Sequence, residues 1–159
     1  MKKMKNIKIY SDGSSLGNPG PGGWGTILSF NGHTKELSGC EDNTTNNRME
    51  LLGAIKGLEA IKEPCNVEII SDSTYVVKAI NEWLNGWVKK GWKNSAKKDV
   101  KNSDLWKQYI EVSKGHNIIA TWVKGHNGHD ENERCDILAR TAAEQLQQKL
   151  NCKMVKNFL

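Results

Sequence analysis

The order of the hydrophobic patterns along the chain most strongly constrains its fold. Residues 5–10 alternate apolar and polar side chains as a strand does. Two further strand patterns, at residues 22–30 and 34–40, flank Asn31-Gly32, a pair typical of two-residue hairpins. The chain is therefore predicted to open with three antiparallel strands.

Helical and strand patterns alternate over the rest of the chain. Helical spacing of apolar residues follows the cap signal Thr44-Thr45 as far as Glu63-Pro64, and it recurs over residues 73–80, 103–115 and 131–150. Apolar runs at residues 67–70 and 118–123 predict two more strands. Helical crossovers join parallel strands, so we predict an α/β domain with one mixed sheet over residues 1–150. Residues 151–159 are predicted to be a tail, to which we assign no role.

Length and composition exclude several classes of protein. A chain of 159 residues suits one domain. Its longest apolar run is far shorter than the roughly 20 residues of a membrane helix, and the basic start is not followed by the apolar stretch of a signal peptide. We therefore expect a cytoplasmic protein. The four cysteines show no CxxC pairing and are predicted to be reduced thiols: Cys40, Cys65, Cys135 and Cys152.

The basic charge of the chain is concentrated in one segment. The whole chain carries 23 basic and 18 acidic residues, a net charge of +5. Residues 83–101 hold six lysines and a single acid, Asp99, so this segment alone carries a charge equal to that of the chain. It also contains three of the six tryptophans, Trp83, Trp87 and Trp92. We call residues 83–101 the basic handle.

Two interpretations of the basic handle are compatible. Lysines interleaved with aromatic rings are typical of nucleic-acid-binding surfaces, because ammonium groups displace phosphate counterions and rings pack on sugars or bases. A solvated helix with Trp83 and Trp87 facing the core explains the same spacing. Both hold if the tryptophans point inward and the lysines outward.

Four acidic residues stand out by their positions. Asp12 and Asp72 each follow a predicted strand, and the carboxyl ends of neighbouring parallel strands are where ligands bind in such sheets. Glu50 interrupts apolar helical positions, and Asp136 lies in the first turns of the last helix. Half-buried carboxylates repel one another, and a divalent cation such as Mg²⁺ or Mn²⁺ resolves that conflict. Taken singly, Asp12 is also explained as a turn residue, and Asp72 and Asp136 as helix-cap acids.

The remaining patterns point less clearly to chemistry. The glycine-rich residues 17–23 lack a phosphate-binding pattern and are interpreted as a turn. His126, His129 and Cys135 are zinc-ligand types, but their spacing fits no closed four-ligand site. A histidine next to Gly125 is suited to moving protons near neutral pH.

At these residues the sequence closely resembles type 1 ribonuclease H, the bacterial ribonuclease HI family. The resemblance covers residues 7–143 and rests on long motifs in the family's order: YSDGSSLGNPGPGGWG, TTNNRMEL, SDSTYV, WVKKGWK, VKNSDLW and VKGHNGHDENERCDILAR. It implies the ribonuclease H-like fold, a five-stranded mixed sheet flanked by helices with a basic handle. It also implies hydrolysis of the RNA strand in RNA/DNA hybrids.

The resemblance assigns the catalytic residues as well. Asp12, Glu50, Asp72 and Asp136 fall on the family's metal-binding acids, which hold two Mg²⁺ ions in the presence of substrate, with Mn²⁺ as a substitute. The resemblance implies that one ion would activate the attacking water and the other would stabilise the leaving 3′ oxygen, so that 5′-phosphate and 3′-hydroxyl ends would result. The family's loop histidine falls on His126, which assists proton transfer or product departure.

The implied substrate contacts divide by strand. Asn18, Asn46 and Glu50 are expected to face the RNA minor groove, where the 2′-hydroxyl distinguishes RNA from DNA. The residues expected along the DNA strand grip phosphate or pack on deoxyribose: Thr45, Asn47, Trp83, Asn102 and Trp106. Trp87 and the handle lysines complete the predicted binding surface: Lys89, Lys90, Lys93, Lys97 and Lys98.

Three positions depart from the common bacterial pattern. Thr74 replaces a frequent glutamine, Gly86 replaces an asparagine, and Asn43 stands where some members have a basic residue. These changes concern contacts with RNA and phosphate, while the four acids and His126 are retained.

Two other functions stay open on the sequence. One is a hybrid-binding module without turnover, and the other is a nuclease of the ribonuclease H fold with another substrate, such as DNA. For the main hypothesis we expect an RNA/DNA hybrid as partner, no membrane, and a monomer.

Overall fold

A computed structural model describes residues 3–125 and 130–158. Three strands come first: β1 (Lys5–Ser15), β2 (Gly20–Phe30) and β3 (His33–Thr44). Helices and strands then alternate: α1 (Asn46–Glu59), β4 (Cys65–Ser71), α2 (Thr74–Lys78), α3 (Leu84–Lys89), α4 (Ser103–Ser113), β5 (Asn117–Trp122) and α5 (Asp130–Phe158). The predicted order of elements is therefore confirmed.

The five strands form one mixed sheet in the order β3-β2-β1-β4-β5. β1, β2 and β3 pair antiparallel, while β4 pairs parallel with both β1 and β5. The hairpin between β2 and β3 turns at Asn31 and Gly32, whose φ angles of 50° and 79° match the two-residue turn predicted from this pair. The predicted fold class is confirmed.

β1 is longer than predicted. The sequence Ser11-Asp12-Gly13 was expected to turn the chain, yet β1 continues to Ser15 because these residues pair with β2, Asp12 opposite Gly25. The parallel ladder with β4 ends at Tyr10, opposite Ile70. Asp12 thus lies beyond the end of the parallel pairing but inside an antiparallel one.

Helices cover both faces of the sheet. α1 packs on β1 and β2 and against α4, and the core between them contains fully buried Ile9, Leu51, Ile69 and Trp106. α5 packs on the opposite face, over β1, β2 and β3, through the small buried residues Cys135, Ala139 and Ala143. The core therefore fixes α1 and α5 relative to the same strand, β1.

Helix ends differ from the prediction in three places. α1 ends at Glu59, with Ala60 as its C-cap, before the expected stop at Glu63-Pro64. Asn102, at a φ of 61°, precedes α4 where Ser103 was expected to cap it. α5 continues to Phe158, so the predicted tail is helical as far as that residue.

Two negative expectations concern membranes and disulfides. Within the described residues, every helix is too short or too polar to cross a bilayer. All four cysteines are free thiols, as predicted, with Cys65 and Cys135 buried and Cys40 and Cys152 exposed.

Candidate active site

Three of the predicted acids meet at one edge of the sheet. Asp12 comes from β1, Glu50 from the first turns of α1, and Asp72 directly follows β4. Each of these carboxylates offers an oxygen, and the three oxygens lie within 4.8 Å of one another. We call these residues the carboxylate cluster.

The approach of α1 to β1 brings Glu50 into the carboxylate cluster. Thr45 caps α1 by accepting a hydrogen bond from the backbone N–H of Arg48 at 3.3 Å. A Cβ at Gly13 would overlap the backbone nitrogen of Glu50, so only glycine lets α1 come this close to the strand. The close packing of α1 on β1 therefore explains why a glycine follows Asp12.

Burial and mutual repulsion raise the pKa values of two carboxyl groups in the cluster. Desolvation, followed by the charge of Asp72, raises the pKa of Asp12 from 3.8 to about 8, although the N–H of Gly13 donates to its Oδ1 at 2.9 Å. Desolvation likewise raises the pKa of Glu50 from 4.5 to about 7, against a hydrogen bond with Ser73 that lowers it. The fold thus holds carboxyl groups where their ionised forms are unfavourable.

A divalent cation fits this donor set. Hard carboxylate oxygens are the ligands that Mg²⁺ and Mn²⁺ prefer, and the two positive charges of such an ion offset the burial and repulsion that raise the pKa values of Asp12 and Glu50. A protonated carboxyl at Asp12 would be the alternative way to relieve it. The arrangement is therefore suited to binding a divalent metal ion.

Asp136 lies close to the cluster but outside it. It is on α5, its side chain is 21% exposed, and its Oδ2 accepts a hydrogen bond from Arg140 Nε at 2.9 Å. Its charge contributes to the raised pKa of Asp12, so the two carboxylates are electrostatically coupled. Among the described residues, the structure brings together three of the four predicted metal ligands and keeps the fourth in an ion pair.

The predicted histidine is not among the residues that the structure describes. His126 and His129 lie in the gap between residues 125 and 130. Cys135, the third member of the zinc alternative, is fully buried with its Sγ donating to the carbonyl of Tyr10 at 3.4 Å, and burial raises its pKa well above the usual range. A buried protonated thiol is a poor zinc ligand.

The residues predicted to face RNA lie around the start of α1. The side chain of Asn46 accepts a hydrogen bond from the backbone N–H of Ser15 at 2.6 Å, which ties α1 to the end of β1. Asn18, also predicted to face RNA, is exposed in the turn between β1 and β2, and Asn47, predicted to lie along the DNA strand, is exposed next to Asn46. Asn46 is therefore held against the strand that carries Asp12.

A hydrogen-bonded network that the sequence did not reveal supports the predicted DNA-facing residues. Tyr75 Oη accepts hydrogen bonds from Asn102 Nδ2 at 3.0 Å and from Trp106 Nε1 at 2.9 Å. Arg48 donates to Asn102 Oδ1 at 3.2 Å and forms a two-pronged pair with Asp104 at 3.0 and 2.8 Å. Arg48 and Tyr75 stand inside the quoted motifs TTNNRMEL and SDSTYV, which is the only signal that marked them.

Trp106 corrects one prediction. It was expected to pack along the DNA strand, but its side chain is 0% exposed and cannot present a ring to a ligand in this structure. Its ring contacts Tyr75, Trp87 and Tyr109 at centroid distances of 6.0, 5.8 and 5.5 Å. Trp106 therefore supports the surface from beneath.

The basic handle continues directly from α2. A π-helical turn (Ala79–Trp83) joins α2 to α3, and a loop follows. Trp83 is 40% exposed, whereas Trp87 and Trp92 pack against the core. Lys89, Lys90, Lys93, Lys97 and Lys98 are exposed, and Lys93 forms an ion pair with Asp99. The lysines point outward and Trp87 packs inward, as predicted, whereas Trp83 was expected to face the core and is instead exposed.

Comparison with known proteins identifies the family. The family model described as RNase H matches residues 4–144. A protein named Ribonuclease H from Sulfurovum sp. is 60% identical over 146 residues, which cover 92% of this chain and 96% of that protein.

Solved structures agree with the sequence comparison. LC9-RNase H1, described as a type 1 RNase H with the type 2 active-site motif, is 32% identical with a TM-score of 0.82, over 91% of this chain and 75% of that one. LC11-RNase H1, solved in complex with an RNA/DNA hybrid, shares the fold with a TM-score of 0.68 at 23% identity, over 89% and 99%. The matching family model, the relative and the carboxylate cluster at the sheet edge together show that the chain belongs to the RNase H family of enzymes.

Proposed function

We propose that this ribonuclease H hydrolyses the RNA strand of RNA/DNA hybrids with two divalent metal ions, Mg²⁺ in the first place. The observation that carries the proposal is the carboxylate cluster, in which three oxygens within 4.8 Å of one another include two groups with raised pKa values. Enzymes of the family use divalent metal ions. Mn²⁺ has the same ligand preference and can substitute.

Asp12, Glu50 and Asp72 would hold the metal, and Asp136 would join them once it releases Arg140. When bound, two such ions supply an activated water and stabilise the leaving 3′ oxygen, so that 5′-phosphate and 3′-hydroxyl ends result. For His126 we propose the proton transfer that the family resemblance implies. All described members of the cluster come from one chain, so we expect an active monomer.

Substrate selection would come from the residues around the cluster. Asn18 and Asn46 lie at the edge where an RNA minor groove would meet the acids, and their amides can donate to and accept from a 2′-hydroxyl. Thr45, Asn47, Asn102 and Trp83 would contact the DNA strand. The complex of LC11-RNase H1 with an RNA/DNA hybrid supports this substrate for a protein of the same fold.

The handle would supply affinity, since its exposed lysines lie on an element separate from the cluster. Among the described residues, Lys89 and Lys90 form no ion pair and are available to phosphates, whereas Lys93 already pairs with Asp99. Trp87 contributes through Trp83, whose ring lies 6.0 Å from its own.

One experiment tests the proposal directly. Strand-labelled RNA/DNA hybrid, RNA duplex and DNA duplex are each incubated with the protein in Mg²⁺ or in chelator, and the product ends are mapped. We expect cleavage of the RNA strand of the hybrid only, with Mg²⁺ only, leaving 5′-phosphates. Hybrid binding without any cleavage would instead identify a binding module, and equal cleavage of DNA duplex and hybrid would identify a nuclease with another substrate.

A further inference from the structure

The end of β5 is bonded to the segment that carries Asp72. Trp122 Nε1 donates a hydrogen bond to the backbone carbonyl of Asp72 at 3.0 Å. The backbone N–H of Val123 donates to the carbonyl of Ser71, also at 3.0 Å. These two bonds fix the carbonyl groups before and after the Asp72 Cα, at the point where the chain leaves β4.

Gly125 lies directly against the Asp72 carboxylate. A Cβ built on Gly125 would stand 2.6 Å from Asp72 Oδ2 and 3.4 Å from its Cγ. The φ of Gly125 lies outside the left-handed region, so other residues can adopt this backbone. A side chain at this position is therefore opposed by the Asp72 carboxylate and not by the backbone conformation.

Any side chain at this position must displace something. Real Cβ atoms essentially never come within 3.0 Å of another heavy atom, so either the carboxylate of Asp72 rotates or the segment after β5 moves. Asp72 is a member of the carboxylate cluster, whose ligand atoms lie within 4.8 Å of one another. Divalent cations bind oxygen at about 2.0–2.6 Å, so a rotated carboxylate leaves the coordination range.

We propose that Gly125 and Trp122 are positioning residues that hold the Asp72 carboxylate in the orientation that binds metal. Trp122 fixes the backbone of Asp72, and Gly125 leaves open the space beside Asp72 Oδ2 that a side chain would otherwise fill. The inference rests on the proposed function, which makes Asp72 a metal ligand. It adds two residues that touch neither metal nor substrate.

The test measures metal binding in the absence of substrate. Binding of Mn²⁺ to wild type, Gly125→Ala and Trp122→Phe is followed by the electron paramagnetic resonance signal of the free ion. Loss of groups that orient a metal ligand typically costs about 10–100-fold in metal affinity, and we expect a loss in that range for Gly125→Ala. Trp122→Phe keeps a ring but loses the N–H donor, so we expect a smaller loss.

A matched glycine serves as the control. A Cβ at Gly86 meets nothing within 4 Å, so Gly86→Ala adds the same methyl group without a clash and is expected to keep wild-type Mn²⁺ affinity. Thermal unfolding without metal shows whether each variant is folded. In cleavage assays, the Mg²⁺ concentration for half-maximal rate should rise for Gly125→Ala, with most of the rate recovered at high Mg²⁺.

Asp72→Asn separates the two proposals. Unchanged Mn²⁺ affinity in Asp72→Asn would show that Asp72 is not a metal ligand and would contradict the proposed function. A large loss in Asp72→Asn with wild-type affinity in folded Gly125→Ala would overturn the positioning role alone, because the added methyl group would then have moved the loop. If Gly125→Ala does not fold, Trp122→Phe decides, and wild-type affinity in that variant overturns the inference.

Discussion

The carboxylate cluster draws its acids from β1, α1 and the end of β4, whereas the basic handle draws its lysines from one continuous stretch, residues 83–101. Asp12 is buried and Glu50 and Asp72 are half-buried, and the pKa values of Asp12 and Glu50 are raised, while the lysines are exposed. The cluster is unfavourable without a cation, because like charges share a desolvated site. The handle is favourable by itself, because water solvates each ammonium group.

The contrast separates the residues that we expect to catalyse the reaction from those that we expect to bind the substrate. Buried carboxylates have strong, short-range effects that depend on position, so single changes should abolish their function. Exposed lysines act additively through counterion release, so their loss should weaken binding by steps and with a marked dependence on salt.

The largest expected effect is on the cluster. Asp12→Asn keeps the shape of the side chain but removes a charged metal ligand, which is worth several kcal/mol of transition-state stabilisation. We expect the turnover rate on hybrid to fall by about a thousand-fold or more, measured at saturating substrate and Mg²⁺. Glu144→Gln, which neutralises an exposed acid of α5, should keep the wild-type rate. A wild-type rate in folded Asp12→Asn would contradict the metal assignment.

A second effect concerns stability and pH. The pKa of Asp12 rises from 3.8 to about 8 on folding, so its favourable contribution is full below pH about 4 and is lost as the pH rises through about 8. Without metal, Asp12→Asn should therefore equal wild type near pH 4 and exceed its unfolding free energy by a few kcal/mol near pH 9, on the order set by this shift.

Urea unfolding across this pH range, with chelator, checks the expectation. Saturating Mg²⁺ should reduce the advantage of Asp12→Asn, because the ion stabilises only the wild-type cluster. A difference that does not change with pH would show that Asp12 titrates normally in the folded protein.

The handle should behave differently. Lys89→Ala/Lys90→Ala removes two exposed charges, so we expect about tenfold weaker hybrid binding. The slope of log binding constant against log salt concentration should become shallower by roughly one unit per lysine. Turnover at saturating substrate should stay nearly unchanged. Lys93→Ala should matter less, because Lys93 already pairs with Asp99.

Binding titrations at several salt concentrations provide the measurement. Lys149→Ala/Lys153→Ala, which removes two charges from the exposed end of α5, controls for net charge alone. An identical salt slope in both double variants would mean that the handle lysines do not contact phosphates.

The smallest expected effect on hybrid affinity concerns Tyr75, which bonds Asn102 and Trp106. Tyr75→Phe removes the oxygen that accepts hydrogen bonds from Asn102 and Trp106, and it leaves the Trp106 N–H buried without an acceptor. We expect a loss of about 1–3 kcal/mol in the free energy of unfolding, with hybrid affinity weakened through Asn102. Tyr109→Phe is the matched control, since its hydroxyl makes no hydrogen bond among the described residues, and equal losses in both variants would rule out this account.

Local signals predicted the elements well where one short segment decides the structure. Asn31-Gly32 forms the hairpin turn, and Thr45 caps α1, because these residues favour such conformations in any context. The predicted end of β1 was wrong because contacts with a distant strand decide it. Asp12 and Gly13 have the composition of a turn, but pairing with β2 outweighs their local preference.

Contacts between distant segments could not be predicted from the sequence. Tyr75 meets Asn102 and Trp106 only because α2 and α4 both pack against α1, and no spacing rule links those positions. Similarly, Trp106 resembled a surface aromatic, but it lies on the core side of α4 and is fully buried. Side-chain type indicates what a residue can contact, and packing decides what it does contact.

By itself the sequence determined the order of strands and helices, the segment that carries the basic charge and, through family resemblance, the identity of the acids. Only the tertiary structure decided that Asp12, Glu50 and Asp72 share one desolvated site while Asp136 pairs with Arg140. The physical reason is that burial and charge–charge distance exist only after folding. Burial, together with repulsion by Asp72, raises the pKa values of Asp12 and Glu50, and both effects arise from the packing of α1 on the sheet.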